Sequence, residues 1–359
     1  MATHNTSLIA LCSCLRGEPP PHIDWPSLIG LANDTLTTPA LMSFVERCPE
    51  HIPHEARQYI REIWVRNQHR NKRLSSQLLE AVQALNKVGI TPVLMKGAAT
   101  LAAAENALHG SRLISDLDVV ISTEESQAAL EALFSIGYRV FVSSPEGANK
   151  WCVDLGRDGD VGMIDLHRSL PGHNYFYSSM GNIRQHCSMG PSRIRTVYIP
   201  LSTYQAFILI VHDEFQDHDY WTGHIDLRHL LDLVGLAKSV EGIDWNLLAS
   251  LSSSKLYRNA FETQIIALHS LFGVDVPKQL LERFIPRLQF RRRLLQARCP
   301  SLRRPLLATA LLDYRTYRTE VGAEERTRRT SRPQVWSLPR LSTVREFLDR
   351  AAEKRAGKI

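Results

Sequence analysis

The chain of 359 residues lacks most of the marks that assign a protein class directly. No apolar run approaches the roughly 18 residues needed to cross a bilayer, so no membrane span is expected. The short apolar patch from Leu8 to Leu15 has neither a basic lead nor a small-residue cleavage site. It is not read as a secretory signal, and a cytoplasmic protein is expected. The six cysteines (Cys12, Cys14, Cys48, Cys152, Cys187 and Cys299) are scattered, without a CxxC pair. That spacing supports neither a zinc ribbon nor a disulfide framework and predicts reduced, mostly buried thiols. Walker, GxGxxG, HExxH and GxSxG motifs are absent, as is any repeat at a fixed period.

What is present is an ordinary globular composition, 44% hydrophobic and 22% charged, in a chain of 40.7 kDa. Such a chain buries a large core and is expected to form two or three packed units. The net charge of +6 is unevenly spread: residues 283–358 are strongly basic and the remainder is net acidic. The pattern divides into an N-terminal helical region (1–88), an α/β core (89–200), a helical domain (201–285) and a basic C-terminal region (286–359). Pro26 suits the first turn of a helix capped near Asp24, and a second helix is expected from about Thr38 to Glu46. Ile60, Ile63, Trp64, Leu74, Leu78, Val82 and Leu85 fall near helical spacing and predict a long helix over 54–87. Strands are expected at 90–95, 115–122, 138–142, 151–155 and 161–167, with helices at 98–108 and from Thr123 to about Ser135. The Asp158-Gly159 turn predicts that the last two strands form a hairpin. Helices are expected at 201–214, 221–238, 244–252, 256–271 and 278–284. A basic region of weaker order follows, with a flexible stretch at 320–333 and a short helix at 343–354.

The chemistry concentrates in one stretch. Val93-Leu94-Met95 leads into Lys96-Gly97-Ala98 and a small-residue helix, and Ser115-Asp116-Leu117-Asp118-Val119 follows. Strand residues i and i+2 share a face, so Asp116 and Asp118 project together while Leu117 and Val119 enter the opposite layer. Ile164-Asp165-Leu166 repeats the apolar–acid–apolar alternation on another strand and can bring a third carboxylate. Three acids at one place are unfavourable without cations. The pattern suits two Mg²⁺ (or Mn²⁺) ions beside a nucleoside triphosphate, the ions stabilising entering and leaving oxygens. Gly97 at a helix start can let phosphate approach free amides, and Lys96 and Arg112 add cations. The residues thus point to transfer of a nucleoside monophosphate with release of pyrophosphate. His167 shares the face of Asp165 and is a candidate for acceptor contact or for a hydrogen bond to an aspartate.

Two further constellations stand out. His212 and Asp213 open a run rich in possible ligands that continues to His218 and Asp219, with His224 and His229 beyond. A His-Asp pair can mark a metal phosphohydrolase, but no second histidine with the required framework is evident. Lining of a cleft, with acceptor contact by His212 or Asp213, is the expectation. The basic region, with Arg291-Arg292-Arg293, Arg303-Arg304 and Arg326, Arg328 and Arg329 among Tyr314, Tyr317 and Trp336, is a candidate surface for RNA or another polyanion.

Met95-Lys96-Gly97-Ala98, Arg112 with Asp116-Leu117-Asp118, Gly137-Tyr138 and Ile164-Asp165-Leu166-His167 together resemble the uncharacterised nucleotidyltransferase family of the polymerase-β-like superfamily. Asp24-Trp25, the Leu230-Leu231-Asp232-Leu233 segment and Ile243-Asp244-Trp245 fit the same pattern, over roughly residues 24–255. The resemblance implies an α+β fold: a small mixed sheet carrying the acids, flanked by N-terminal helices and a C-terminal helical domain that completes the cleft. It also implies that Asp116 and Asp118 ligate both metals, that Asp165 ligates the one activating the acceptor hydroxyl, and that Gly97 occupies the phosphate-binding turn. The wider superfamily has Gly-Gly or Gly-Ser there; Gly97-Ala98 lacks the hydroxyl donor. The acceptor is open between a small molecule, an RNA end and a protein side chain. The alternative function is a catalytically degenerate module that binds nucleic acid or an acidic partner.

Overall fold

The computed structural model describes residues 3–103, 110–144, 151–172, 174–178, 180–190, 196–252, 254–307, 309 and 357–359. The expected flexible stretch at 320–333, the helix at 343–354, and Tyr314, Tyr317, Arg326, Arg328, Arg329 and Trp336 lie outside them.

The N-terminal part is helical: α1 (Thr3–Arg16), α2 (Trp25–Asp34), α3 (Met42–Arg47) and α4 (His54–Lys87). The Asp24 side chain caps α2 by accepting from the Ser27 amide, with Pro26 in the first turn as expected. Helix α1 lies in the expected N-terminal helical region and covers the apolar patch, its Leu8, Leu11, Cys12 and Cys14 buried. Helix α4 is the long helix predicted over 54–87.

The core then runs β1 (Val93–Leu94), α5 (Lys96–Ala103), β2 (Leu117–Val120), α6 (Ser126–Ser135), β3 (Arg139–Ser143), β4 (Cys152–Gly156), β5 (Ile164–His167), β6 (Cys187–Met189) and β7 (Tyr198–Pro200). These strands form one mixed sheet in the order β3-β4-β5-β2-β1-β7-β6. β2 runs parallel to β5, while β4 and β5 form the predicted antiparallel hairpin. Alternation sorts the two faces. Leu117, Val119, Val153, Leu155, Ile164 and Leu166 join Leu74, Leu78, Val82 and Leu85 of α4 and Ala129 and Leu133 of α6 in one apolar cluster. The residues between them carry the acids to the other face.

The helical part comprises α7 (Ser202–Val211), α8 (Asp219–Thr222), α9 (Leu227–Lys238), α10 (Trp245–Ser250), α11 (Lys255–Phe272), α12 (Phe284–Arg298) and α13 (Arg303–Leu307). It shares a second apolar cluster with α1 and α2, which also takes in Val93, Met95 and Val120. The basic region of expected weak order instead begins with the 15-residue helix α12. Arg293 is buried and pairs with Glu214 at 2.5 and 2.9 Å, and Arg292 donates to the Tyr220 carbonyl at 2.7 Å. Those two arginines hold α12 in place and are not available to a polyanion, whereas Arg291 and Arg304 are exposed. Among the described residues no helix is long and apolar enough to cross a membrane.

Candidate active site

The segment entering β2 has few strand partners of its own, so its carbonyls are satisfied from α4. Asn67 donates to the carbonyls of Gly110 and Arg112 at 2.8 and 2.9 Å, and Asn71 to Arg112 at 2.7 Å. Arg70 donates to Ile114, Ser115 and Val161. Polar side chains on the buried side of α4 thereby hold the acid-bearing segment against the sheet.

Asp118 and Asp165 are register partners across β2 and β5. Asp116 precedes β2 and accepts from the Ser115 hydroxyl at 2.9 Å. Asp118 is 2% exposed; its Oδ1 lies 3.0 Å from Lys96 Nζ and 3.3 Å from His167 Nε2. Burial disfavours its charge, but the Lys96 ammonium and His167 outweigh burial and hold the carboxyl well below the usual range. Its Oδ2 is buried without a hydrogen-bond partner among the described residues. Asp165 moves the other way. Burial, then the charges of Asp116, Asp118 and Asp154, push it up to about 7, with Lys96 only partly offsetting them. A surplus of negative charge and an unpartnered carboxylate oxygen are what a divalent cation would satisfy, so the residues present fit a metal.

Lys96 opens α5 with φ +45°, a left-handed conformation that a side chain makes costly, about 1–3 kcal/mol. The positive φ thus falls on the lysine and not on Gly97. Glycine is required next to it for another reason: a Cβ there would lie 2.7 Å from Ile114 Cγ2 and 2.9 Å from Arg112 Nη1. Ala98 is fully buried among core residues, leaving its side chain no part in a cleft. Arg112 forms a bidentate pair with Asp232 of α9 at 2.6 and 2.7 Å, joining the α/β core to the helices. Lys96, Arg112 and Asp232 line a cleft of about 750 Å³ whose walls include Met95, Leu113 and Leu231.

The chain leaves α7 through a π-helical turn, His212–Gln216. His212 is depressed by burial and by the charge of Lys96, and Asp217 in turn acts on Lys96, so this turn lies near Lys96. Asp213 accepts from Gln264 at 3.2 Å and lies 2.5 Å from His229 Nδ1. His229 is the second histidine that sequence spacing did not reveal. Lys358 Nζ meets Asp217 and Asp219 at 2.8 and 2.6 Å. Asp213 is therefore oriented by Gln264 and His229 behind His212.

The structure thus gathers Asp116, Asp118, Asp165, Lys96 and His167 at one place, with His212 at its border. Arg112 lies on the cleft wall beside Lys96. Cys152 and Asp154 were missed: β4 pairs Cys152 with His167 and Asp154 with Asp165. The predicted hairpin carried the signal, because opposite residues of an antiparallel pair share a face.

A family model described as an uncharacterised nucleotidyltransferase matches residues 21–273. The chain belongs to this uncharacterised nucleotidyltransferase family. The match spans the α/β core together with α2 to α11. No curated protein and no solved structure matches the chain at a significant level.

Proposed function

We propose that the protein is a metal-dependent enzyme that moves a nucleoside monophosphate from a nucleoside triphosphate to an acceptor hydroxyl, phosphate or amine, releasing pyrophosphate. The observation that carries the reading is the row of carboxylates on one sheet face, with Asp118 Oδ2 unpartnered among the described residues and Asp165 pushed up to about 7 by burial and then by its acidic neighbours. Asp116, Asp118 and Asp165 would hold Mg²⁺ or Mn²⁺, which when bound would neutralise the triphosphate and favour the attacking form of the acceptor. The amides at the start of α5, at Lys96, Gly97 and Ala98, face outward from the helix and suit phosphate oxygens. Lys96, paired with Asp118, supplies the nearest positive charge. Asp165, or the metal bound there, would promote deprotonation of the acceptor, and His212 is the candidate for contact with the acceptor.

The alternative of a degenerate binding module with a polyanion-binding tail has less support, because Arg292 and Arg293 are committed to internal pairs. Calorimetric titration with each triphosphate tests the reading. Binding should require Mg²⁺ or Mn²⁺ and weaken at least tenfold in Asp116→Ala; binding indifferent to both metal and variant would reject it.

A further inference from the structure

Beside the oxygen ligands of β2 lies a second donor set of different chemistry. In the β4–β5 pair, Cys152 stands opposite His167 and Asp154 opposite Asp165. Directly opposed residues of an antiparallel pair point to the same face, so thiol, imidazole and two carboxylates form a square array. Cys152 Sγ lies 4.0 Å from His167 Nε2 and 3.4 Å from Asp154 Oδ1. One donor atom each from Cys152, Asp165 and His167 lie within 4.8 Å of one another. His167 is 3% exposed, its Nε2 faces this array, and its Nδ1 is buried without a hydrogen-bond partner among the described residues.

We propose that Cys152, Asp165 and His167, with Asp154 behind them, form a binding site for a borderline-soft divalent cation of the zinc type. Magnesium takes oxygen ligands and gains nothing from a sulfur or an imidazole nitrogen. Zinc accepts sulfur, nitrogen and carboxylate oxygen together in a tetrahedron, at about 2.0–2.3 Å from each donor. Donors around such an ion stand roughly 3.3–3.8 Å apart. The thiol and imidazole are within a small side-chain rotation of that spacing. Three protein donors leave one position for water or a ligand, the pattern of open zinc sites. Softness therefore separates two neighbouring sites: Asp116 and Asp118 bring oxygen alone, and the β4–β5 side brings sulfur and nitrogen, His167 Nε2 exchanging its 3.3 Å contact with Asp118 Oδ1 for the cation. Asp165 lies between them and is the shared ligand. The array holds its cation whether or not the chain transfers nucleotides.

The test is titration of chelator-stripped full-length protein with Co²⁺, followed by absorbance. One equivalent should give a thiolate-to-cobalt charge-transfer band and the intense visible bands of a four-coordinate ion. Zn²⁺ should displace both, and excess Mg²⁺ should displace neither. Cys152→Ser should remove the charge-transfer band, and His167→Gln should weaken binding at least tenfold. Cys187→Ser, a half-buried thiol elsewhere in the sheet, should leave the spectrum unchanged. Asp116→Ala should keep the band while losing nucleotide transfer, which separates this site from the transferase reading. Absence of the band in the wild-type protein, or its persistence in Cys152→Ser, would overturn the proposal.

Discussion

At the residue scale the site is a contest between burial and charge. Asp118 keeps its charge because Lys96 and His167 flank it, so removing its carboxylate strands a buried ammonium. Asp118→Ala should lower stability by about 3–5 kcal/mol as well as abolishing transfer, measured by denaturant unfolding. Asp116 is half-buried with Ser115 as its side-chain partner, so Asp116→Ala should abolish transfer while leaving the unfolding midpoint nearly unchanged. Asp165 gives a pH signature. Its carboxyl is raised from 3.8 to about 7 in the folded chain, so its stabilising contribution is complete below about pH 4 and lost as pH rises through about 7. In metal-free protein the melting temperature of wild type relative to Asp165→Asn should fall across that window, and a divalent ion should flatten the fall. A difference independent of pH would show that Asp165 does not feel its neighbours.

At the scale of elements, alternation was the legible signal. Apolar–acid–apolar order alone places Leu117 and Val119 in the core and Asp118 on the other face, and helical spacing gives α4 its full extent. Pairing was less legible. The hairpin was visible, but its register, which brings Cys152 and Asp154 to the site, depends on hydrogen bonds that spacing alone does not fix. The partner of Arg112 lies 120 residues away on α9, a separation that no local pattern encodes. The role of Gly97 also emerges only from packing, through the closeness of Ile114 and Arg112. Gly97→Ala should therefore cost about 1–3 kcal/mol in unfolding free energy, the range for overpacking, even though alanine favours helix. A neutral or stabilising result would contradict that packing argument.

At the scale of the whole molecule, two ion pairs of low exposure tie its parts together. Arg112–Asp232 links α9 to the segment before β2, and Arg293–Glu214 locks α12 against the turn that carries His212. Basic composition alone made α12 look like a solvated tail, because composition does not say which arginines find a buried acid. Arg293→Ala should cost about 3–5 kcal/mol by leaving Glu214 buried and unpaired, whereas Arg291→Ala should stay within about 0.5 kcal/mol. Thermal and denaturant unfolding of the two variants separates a structural helix from a binding surface.

The central claim, that this sheet face transfers nucleotides, is tested most directly by incubating the purified protein with each labelled triphosphate, Mg²⁺ or Mn²⁺ and fractionated extract as acceptor. Asp116→Ala serves as the matched control. Pyrophosphate release and label transfer that require metal and vanish in the variant are the predicted result. Equal release by both proteins, or no release with any triphosphate across all acceptor fractions, would contradict it.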